Sequence, residues 1–215
     1  MIKWLNNIRA PIHISRRKKI LNTLLVFVFG LAMGIGTKFL DCIPSNLLPY
    51  FMEILDLRNF FGRIAIWYLL AVIISIYSKT PLRASVNVFV FFAGMLTGYY
   101  AYTRLFAGFY PDRAYLMIWI VLTALSPFLA FICWDAKGKG NTSLVISSLI
   151  SALLFLQAFS FGMTYFNAPY ILEVLVWAAG IAILYKSPKQ TAVMLVLSLV
   201  FAVTMRIVFP FMFIM

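Results

Sequence analysis

The sequence predicts an all-α fold: a polytopic transmembrane helical bundle of about seven spans, with its N-terminus inside. Three observations carry this. Hydrophobic residues make up 64% of the 215 residues and charged ones only 11%, against roughly 45–50% and about 25% in soluble domains. The apolar residues fall in runs close to the ~20 residues that ~30 Å of hydrocarbon requires of a helix. These runs are too continuous for the ~10-residue alternation of barrel strands. Finally, Lys and Arg collect in alternate connections between the runs.

Taken in order, residues 1–19 form a basic cytoplasmic N-terminal segment, and 20–215 form a single transmembrane helical domain. The apolar run behind the basic segment is longer than the roughly 7–15 residues of a signal-peptide core, so it reads as a first span rather than a cleaved leader. The expected spans are Ile20 to Lys38, Gly62 to Ser78, Leu82 to Thr103, Arg113 to Trp134, Thr142 to Gly162, Ala168 to Tyr185 and Gln190 to Phe209. Pro81, Pro169 and Pro188 stand at span starts, where a missing N–H costs nothing. Pro127 falls inside the fourth span and predicts a kink. The breaker "KGKGN" at 137–141 ends in an Asn suited to cap the fifth helix. Between the first two spans, Leu47, Phe51, Ile54 and Leu55 alternate with Glu53, Asp56 and Asn59 at helical spacing. That pattern predicts a short amphipathic helix on the outer side.

Orientation follows from the cations. With the N-terminus cytoplasmic, the inner segments hold Lys3, Arg9, Arg16, Arg17, Lys18 and Lys19, then Lys79 and Arg83, then Lys137 and Lys139, then Lys186 and Lys189. Each inner connection thus carries at least two, as the positive-inside rule requires, and the C-terminus falls outside. The net charge of +12 is explained this way, so membrane lipids are expected partners and nucleic acid is not. Cys42 and Cys133 fall on opposite faces, which excludes a disulfide between them.

Of the six acids, five lie toward the outer face: Asp41, Glu53, Asp56, Asp112 and Glu173. Tyrosines such as Tyr99, Tyr110 and Tyr165 join them. Most such residues make an interfacial belt. Glu173 and Arg206 stand apart. Each falls within an apolar run, at similar depth on consecutive antiparallel helices, where a charge costs up to ~2.5–3.5 kcal/mol and faces a cavity or a partner. The expectation is that they pair, or flank one pocket that binds a small solute. Lys38 and Asp41, three apart on one helix face, ring the same mouth with Arg63. The motif "GYYAYTR" places Tyr99 and Tyr102 three apart, with Arg104 above, where aromatic rings beside a guanidinium can stack on a planar ligand. The substrate-binding candidates are therefore Glu173, Arg206, Arg63, Tyr99, Lys38, Asp41 and Arg104. Gly30 and Gly34, four apart in the first span, serve either close packing within the chain or docking of a membrane-embedded partner subunit.

Recognisable catalytic chemistry is missing. There is no HExxH and no phosphate-binding glycine loop, and the single histidine, His13, sits in the basic N-terminal region. No cofactor, metal site or enzymatic activity is expected.

The stretches "GIGTKFLD" at 34–41, "GYYAY" at 98–102 and "ALSPFLAFICWDAKGKG" at 124–140 resemble a family of small bacterial multi-pass membrane proteins of unknown function, over most of the chain. The size, the small-residue face of the first span and the outward polar layer are similar to the substrate-binding subunits of energy-coupling-factor vitamin transporters. Those subunits have six spans and both termini inside. The resemblance implies a bacterial plasma-membrane protein that holds a small solute in an outward-facing polar pocket and works with a nucleotide-hydrolysing partner. The alternative is a non-transporting accessory or scaffold protein that contacts lipid or other membrane subunits.

Overall fold

The structure is a computed structural model that describes residues 8–44, 47–108 and 113–209. Tyr110, Asp112 and the C-terminal residues 210–215 lie outside the described residues. The elements, in chain order, are α1 (Arg16–Cys42), α2 (Tyr50–Ile54), α3 (Leu57–Phe60), α4 (Ile64–Tyr77), α5 (Pro81–Tyr102), α6 (Arg113–Cys133), α7 (Gly140–Ala158), β1 (Ser160–Phe161), β2 (Phe166–Asn167), α8 (Ile171–Leu184) and α9 (Pro188–Val208). A π-helical turn, Thr103–Ala107, follows α5, and a 3-10 turn, Trp134–Lys137, follows α6.

Five helices among the described residues are long and apolar enough to cross a bilayer: α1, α5 with its π turn, α6 with its 3-10 turn, α7 and α9. The helices α4 and α8 are apolar but have 14 residues each, about 21 Å of rise. Caps explain several boundaries. Ser15, Thr80 and Ser187 accept from the backbone N–H of Lys18, Arg83 and Gln190 at 3.5, 3.2 and 3.3 Å, each three residues on, as N-caps do. Pro81 and Pro188 fill the first helical positions behind two of them. Pro169 falls before the α8 cap, Tyr170, instead of inside the first turn. Asn141 does not cap α7. That helix begins at Gly140, whose φ of 80° makes the turn that only glycine makes freely, and Asn141 lies within its first turn.

Other departures have local causes. The expected amphipathic helix is broken into α2 and α3 at Asp56, which takes a φ of 51°. Asp tolerates this left-handed conformation through local hydrogen bonding, and Asn59 Nδ2 donates to Asp56 Oδ1 at 2.7 Å. The helix α7 stops at Ala158, short of the expected Gly162, because Phe159 is already extended. The chain then turns through the β1–β2 hairpin, with Ser160 opposite Asn167 and Phe161 opposite Phe166. Pro127 lies within α6; Thr123 O, which it cannot serve, accepts from Ser126 Oγ at 2.8 Å.

Within the stretch read as one domain, the helices group into two compact units. One, here the N-terminal unit, comprises Pro11–Gly62 and Ile74–Trp134; the other, the C-terminal unit, comprises Met1–Ala10, Arg63–Ile73 and Asp135–Met215. In the N-terminal unit, α1 packs along α5, and α5 on α6. The α1–α5 seam is built from glycine on both sides. A Cβ on Gly30 or Gly34 would come within 3.0 Å of the Phe91 or Met95 carbonyl, and one on Gly94 or Gly98 within 3.0 Å of the Phe27 or Leu31 carbonyl. Gly30 and Gly34 therefore serve packing within the chain, and their face is filled by α5. Gly94 and Gly98 carry the same four-residue spacing, a signal the sequence held as plainly.

In the C-terminal unit, α7 packs against both α8 and α9. Ala152, Phe155, Leu156 and Ala202 form the core at one end, with Phe159, Phe161, Trp177, Phe201 and Met205 packed around them. The smooth faces of Ala152 and Ala202 let α7 and α9 approach, and the rings fill the space toward the hairpin.

Candidate functional site

The candidate residues form two clusters, one in each unit. In the C-terminal unit the centre is Glu173, in the first turn of α8 and 2% exposed. Its expected partner was Arg206. The structure gives it another: Arg63, just before α4, donates from Nε to Glu173 Oε1. The Arg63 guanidinium also stacks on Tyr170, 3.9 Å from the ring centroid. Arg206 instead donates to Tyr165 Oη at 3.1 Å and lies 5.2 Å from the Phe161 centroid. The sequence expectation that each charge has a partner rested on helix depth. The rotation of each helix about its axis selects which partner, and depth carries no information on rotation.

The second Glu173 oxygen, Oε2, is buried with no hydrogen-bond partner among the described residues, and so is Trp177 Nε1. Residues four apart on a helix share one face, so a buried acceptor and a buried donor stand one turn apart. Rings close the flank: Trp177 meets Phe155 and Phe159 edge-on at 5.7 and 5.2 Å, and Phe159 stacks on Phe166 at 5.3 Å. An unmatched buried polar atom costs on the order of 1–3 kcal/mol. This cluster therefore has hydrogen-bonding capacity to offer a small polar molecule.

The N-terminal unit holds the other cluster. Lys38, 7% exposed near the end of α1, lies 3.6 Å from Asp41 Oδ2 and donates to Tyr99 Oη at 3.3 Å. Tyr99 in turn donates to the same carboxylate oxygen at 3.2 Å. Three groups from α1 and α5 thus close on one another. Arg104 lies exposed on the π-helical turn. Toward the start of the same two helices, Arg83 is tied as firmly: its Nη2 donates to Lys19 O at 2.8 Å, to Asn87 Oδ1 at 3.0 Å and to Thr23 Oγ1.

The far end of the C-terminal unit carries polar residues that the sequence reading used only for orientation. Lys186 donates to Gly138 O at 2.8 Å and to Ser143 Oγ, and Lys137 to Tyr185 O at 2.9 Å. Burial, with Lys137 and Arg9 nearby, lowers the Lys186 ammonium from its ordinary 10.5 to about 8.

The helices and their buried charges define the class: a multi-pass, membrane-embedded helical protein. No family model, curated protein or solved structure matches the chain.

Proposed function

We propose that this chain is a plasma-membrane protein, N-terminus cytoplasmic, that binds a small solute at the Glu173 cluster, reached from the outer side, in the manner of a transporter's substrate-binding subunit. One observation carries the reading. A buried carboxylate has one oxygen held by Arg63 and the other unmatched, beside an unmatched indole N–H. Because Arg63 offsets the carboxylate charge, the fitting solute is neutral or zwitterionic, with a hydroxyl or amide that both donates and accepts. The orientation rests on the cation distribution, and the short helices α4 and α8 complete seven spans by local bilayer thinning. The resemblance to energy-coupling-factor subunits belongs to the same proposal.

Two experiments test it. Native mass spectrometry of the detergent-purified protein shows a co-purified small molecule, absent from Glu173→Gln. A panel of polyols, amides and amino acids then raises the melting temperature of wild type only; a ligand at about 100 times its Kd adds roughly 2.7 kcal/mol. If wild type carries lipid alone and no compound moves the melt, the second reading takes over. That reading, an accessory or scaffold protein, is favoured by the Lys38–Tyr99–Asp41 cluster, where the groups satisfy one another. For orientation, Cys42 is a free, exposed thiol. A membrane-impermeant maleimide should label it on intact cells; labelling only after lysis overturns the assignment.

A further inference from the structure

The buried face of α7 carries Ser143, Ser147 and Ser151, each four residues from the last and at most 2% exposed. Serines in membrane helices ordinarily turn their hydroxyls back to the carbonyl four residues earlier. Ser147 is in reach of Ser143 O at 2.8 Å and Ala136 O at 2.9 Å, and Ser148 donates to Leu144 O at 2.8 Å. Ser151 does not follow them. Its Oγ is buried and has no hydrogen-bond partner among the described residues. Asp135, 4% exposed, likewise leaves Oδ1 unmatched at the Ser143 end. At the opposite end stand Glu173 Oε2 and Trp177 Nε1. Unmatched polar groups at such depth call for water, since lipid offers them nothing.

The order along the unit is set by packing. Leu154 abuts Gly180, and Phe155, one turn beyond Ser151, meets Trp177 at 5.7 Å. Glu173 lies a further turn along α8. From Ser143 to Phe155 and on to Glu173 is about 24 Å at 1.5 Å per residue, most of a ~30 Å hydrocarbon core. A cleft of about 10 Å³ bordered by Ser147, Lys186 and Gln190 has room for about one water.

We propose that the C-terminal unit conducts protons along this file, between Asp135 and Glu173, through the hydroxyls of Ser143, Ser147 and Ser151 and the waters they hold. A hydroxyl accepts one proton while releasing another, so a chain of hydroxyls and waters relays charge with no net chemistry. A proton taken up at one carboxylate is matched by one released at the other. Trp177 N–H donates only, so it anchors a water rather than passing a proton. Calcium and magnesium do not suit the file, because calcium needs six to eight oxygen ligands at once and magnesium about six. The inference shares Glu173 with the proposed solute site but stands on Ser151 and Asp135, which that site does not use.

The test uses the purified protein in phosphatidylcholine–phosphatidylglycerol liposomes loaded with the pH dye pyranine, with valinomycin and a potassium gradient setting the potential. Wild type should acidify the lumen clearly faster than protein-free liposomes. Ser151→Ala and Asp135→Asn should each cut the excess rate at least tenfold, while Ser148→Ala, which lies off the face that carries Ser143, Ser147 and Ser151, leaves it unchanged. Gel filtration and melting confirm that each variant is folded; should Ser151→Ala not fold, Asp135→Asn decides. A wild-type rate equal to empty liposomes, or folded variants that conduct like wild type, overturns the proposal. Loss of solute binding with proton flow intact would leave the file standing and sink only the solute reading.

Discussion

The two charged clusters use similar chemistry to opposite ends. At Lys38, Asp41 and Tyr99, an ammonium, a carboxylate and a phenol close into a ring of mutual contacts. At Glu173, a guanidinium satisfies one carboxylate oxygen and the other is left over. The closed cluster sits on α1 and α5, which glycines lock together. The open one sits among large rings that meet edge to face at 5–6 Å. Where backbones touch, side chains are short of room and settle with one another. Where aromatic rings hold helices apart, a polar atom can be stranded. Two half-buried ion pairs in one chain thus differ in what they have left to give.

That contrast can be broken from either side. The largest effect is expected from Arg63→Met, which strands a carboxylate at 2% exposure; removing one member of a buried pair costs about 3–5 kcal/mol. A melt in detergent should show a correspondingly large fall, and Arg63→Lys should recover part of it, since it restores charge but not stacking on Tyr170. Next comes Gly34→Leu. The side chain has the Met95 and Tyr99 backbone to push against, and overpacking costs about 1–3 kcal/mol or more; yield and melting temperature should fall, with Gly36→Leu as a mild control because nothing lies within 4 Å of its Cβ position. Tyr99→Phe removes one hydroxyl from the closed ring and should cost about 0.5–1.5 kcal/mol. A melt unchanged by Arg63→Met, or lowered more by Tyr99→Phe, would erase the distinction between the clusters.

The smallest effect concerns Lys186. Its folded pKa of about 8 lies below the unfolded value near 10.4. Between these values the unfolded chain binds more protons, so stability rises with pH across that window and the penalty is fully present below pH 8. The melting temperature should climb more steeply from pH 8 to pH 10 in wild type than in Lys186→Gln. Equal slopes would show that the amine is not held in the environment described.

Much of this was legible in the residues alone. Apolar runs marked every long helix, and Pro81 and Pro188 marked two starts, because the fit of proline to a first turn is local; the Thr80 and Ser187 caps in front of them went unread. The spacing of Gly30 and Gly34 announced a close approach without saying to what. Depth singled out Glu173 and Arg206 as charges in need of company. Pairing depends on rotation about helix axes, which no single helix specifies, so Arg63 stood among the pocket residues but not as the partner of Glu173. The Asp56 break escaped because a non-glycine residue at positive φ leaves no pattern in sequence. The hairpin at 160–167 escaped because two-residue strands are too short to show alternation. Ser151 differs from Ser147 only in what surrounds it.

The glycine seam also bears on biogenesis. During synthesis α1 leaves the ribosome well before α5, whose surface it fits, and α4 emerges between them. Until α5 follows, the notched face of α1, shaped for a backbone, meets acyl chains that cannot fill it. The close fit of these two helices can therefore form only once Gly94 and Gly98 have arrived.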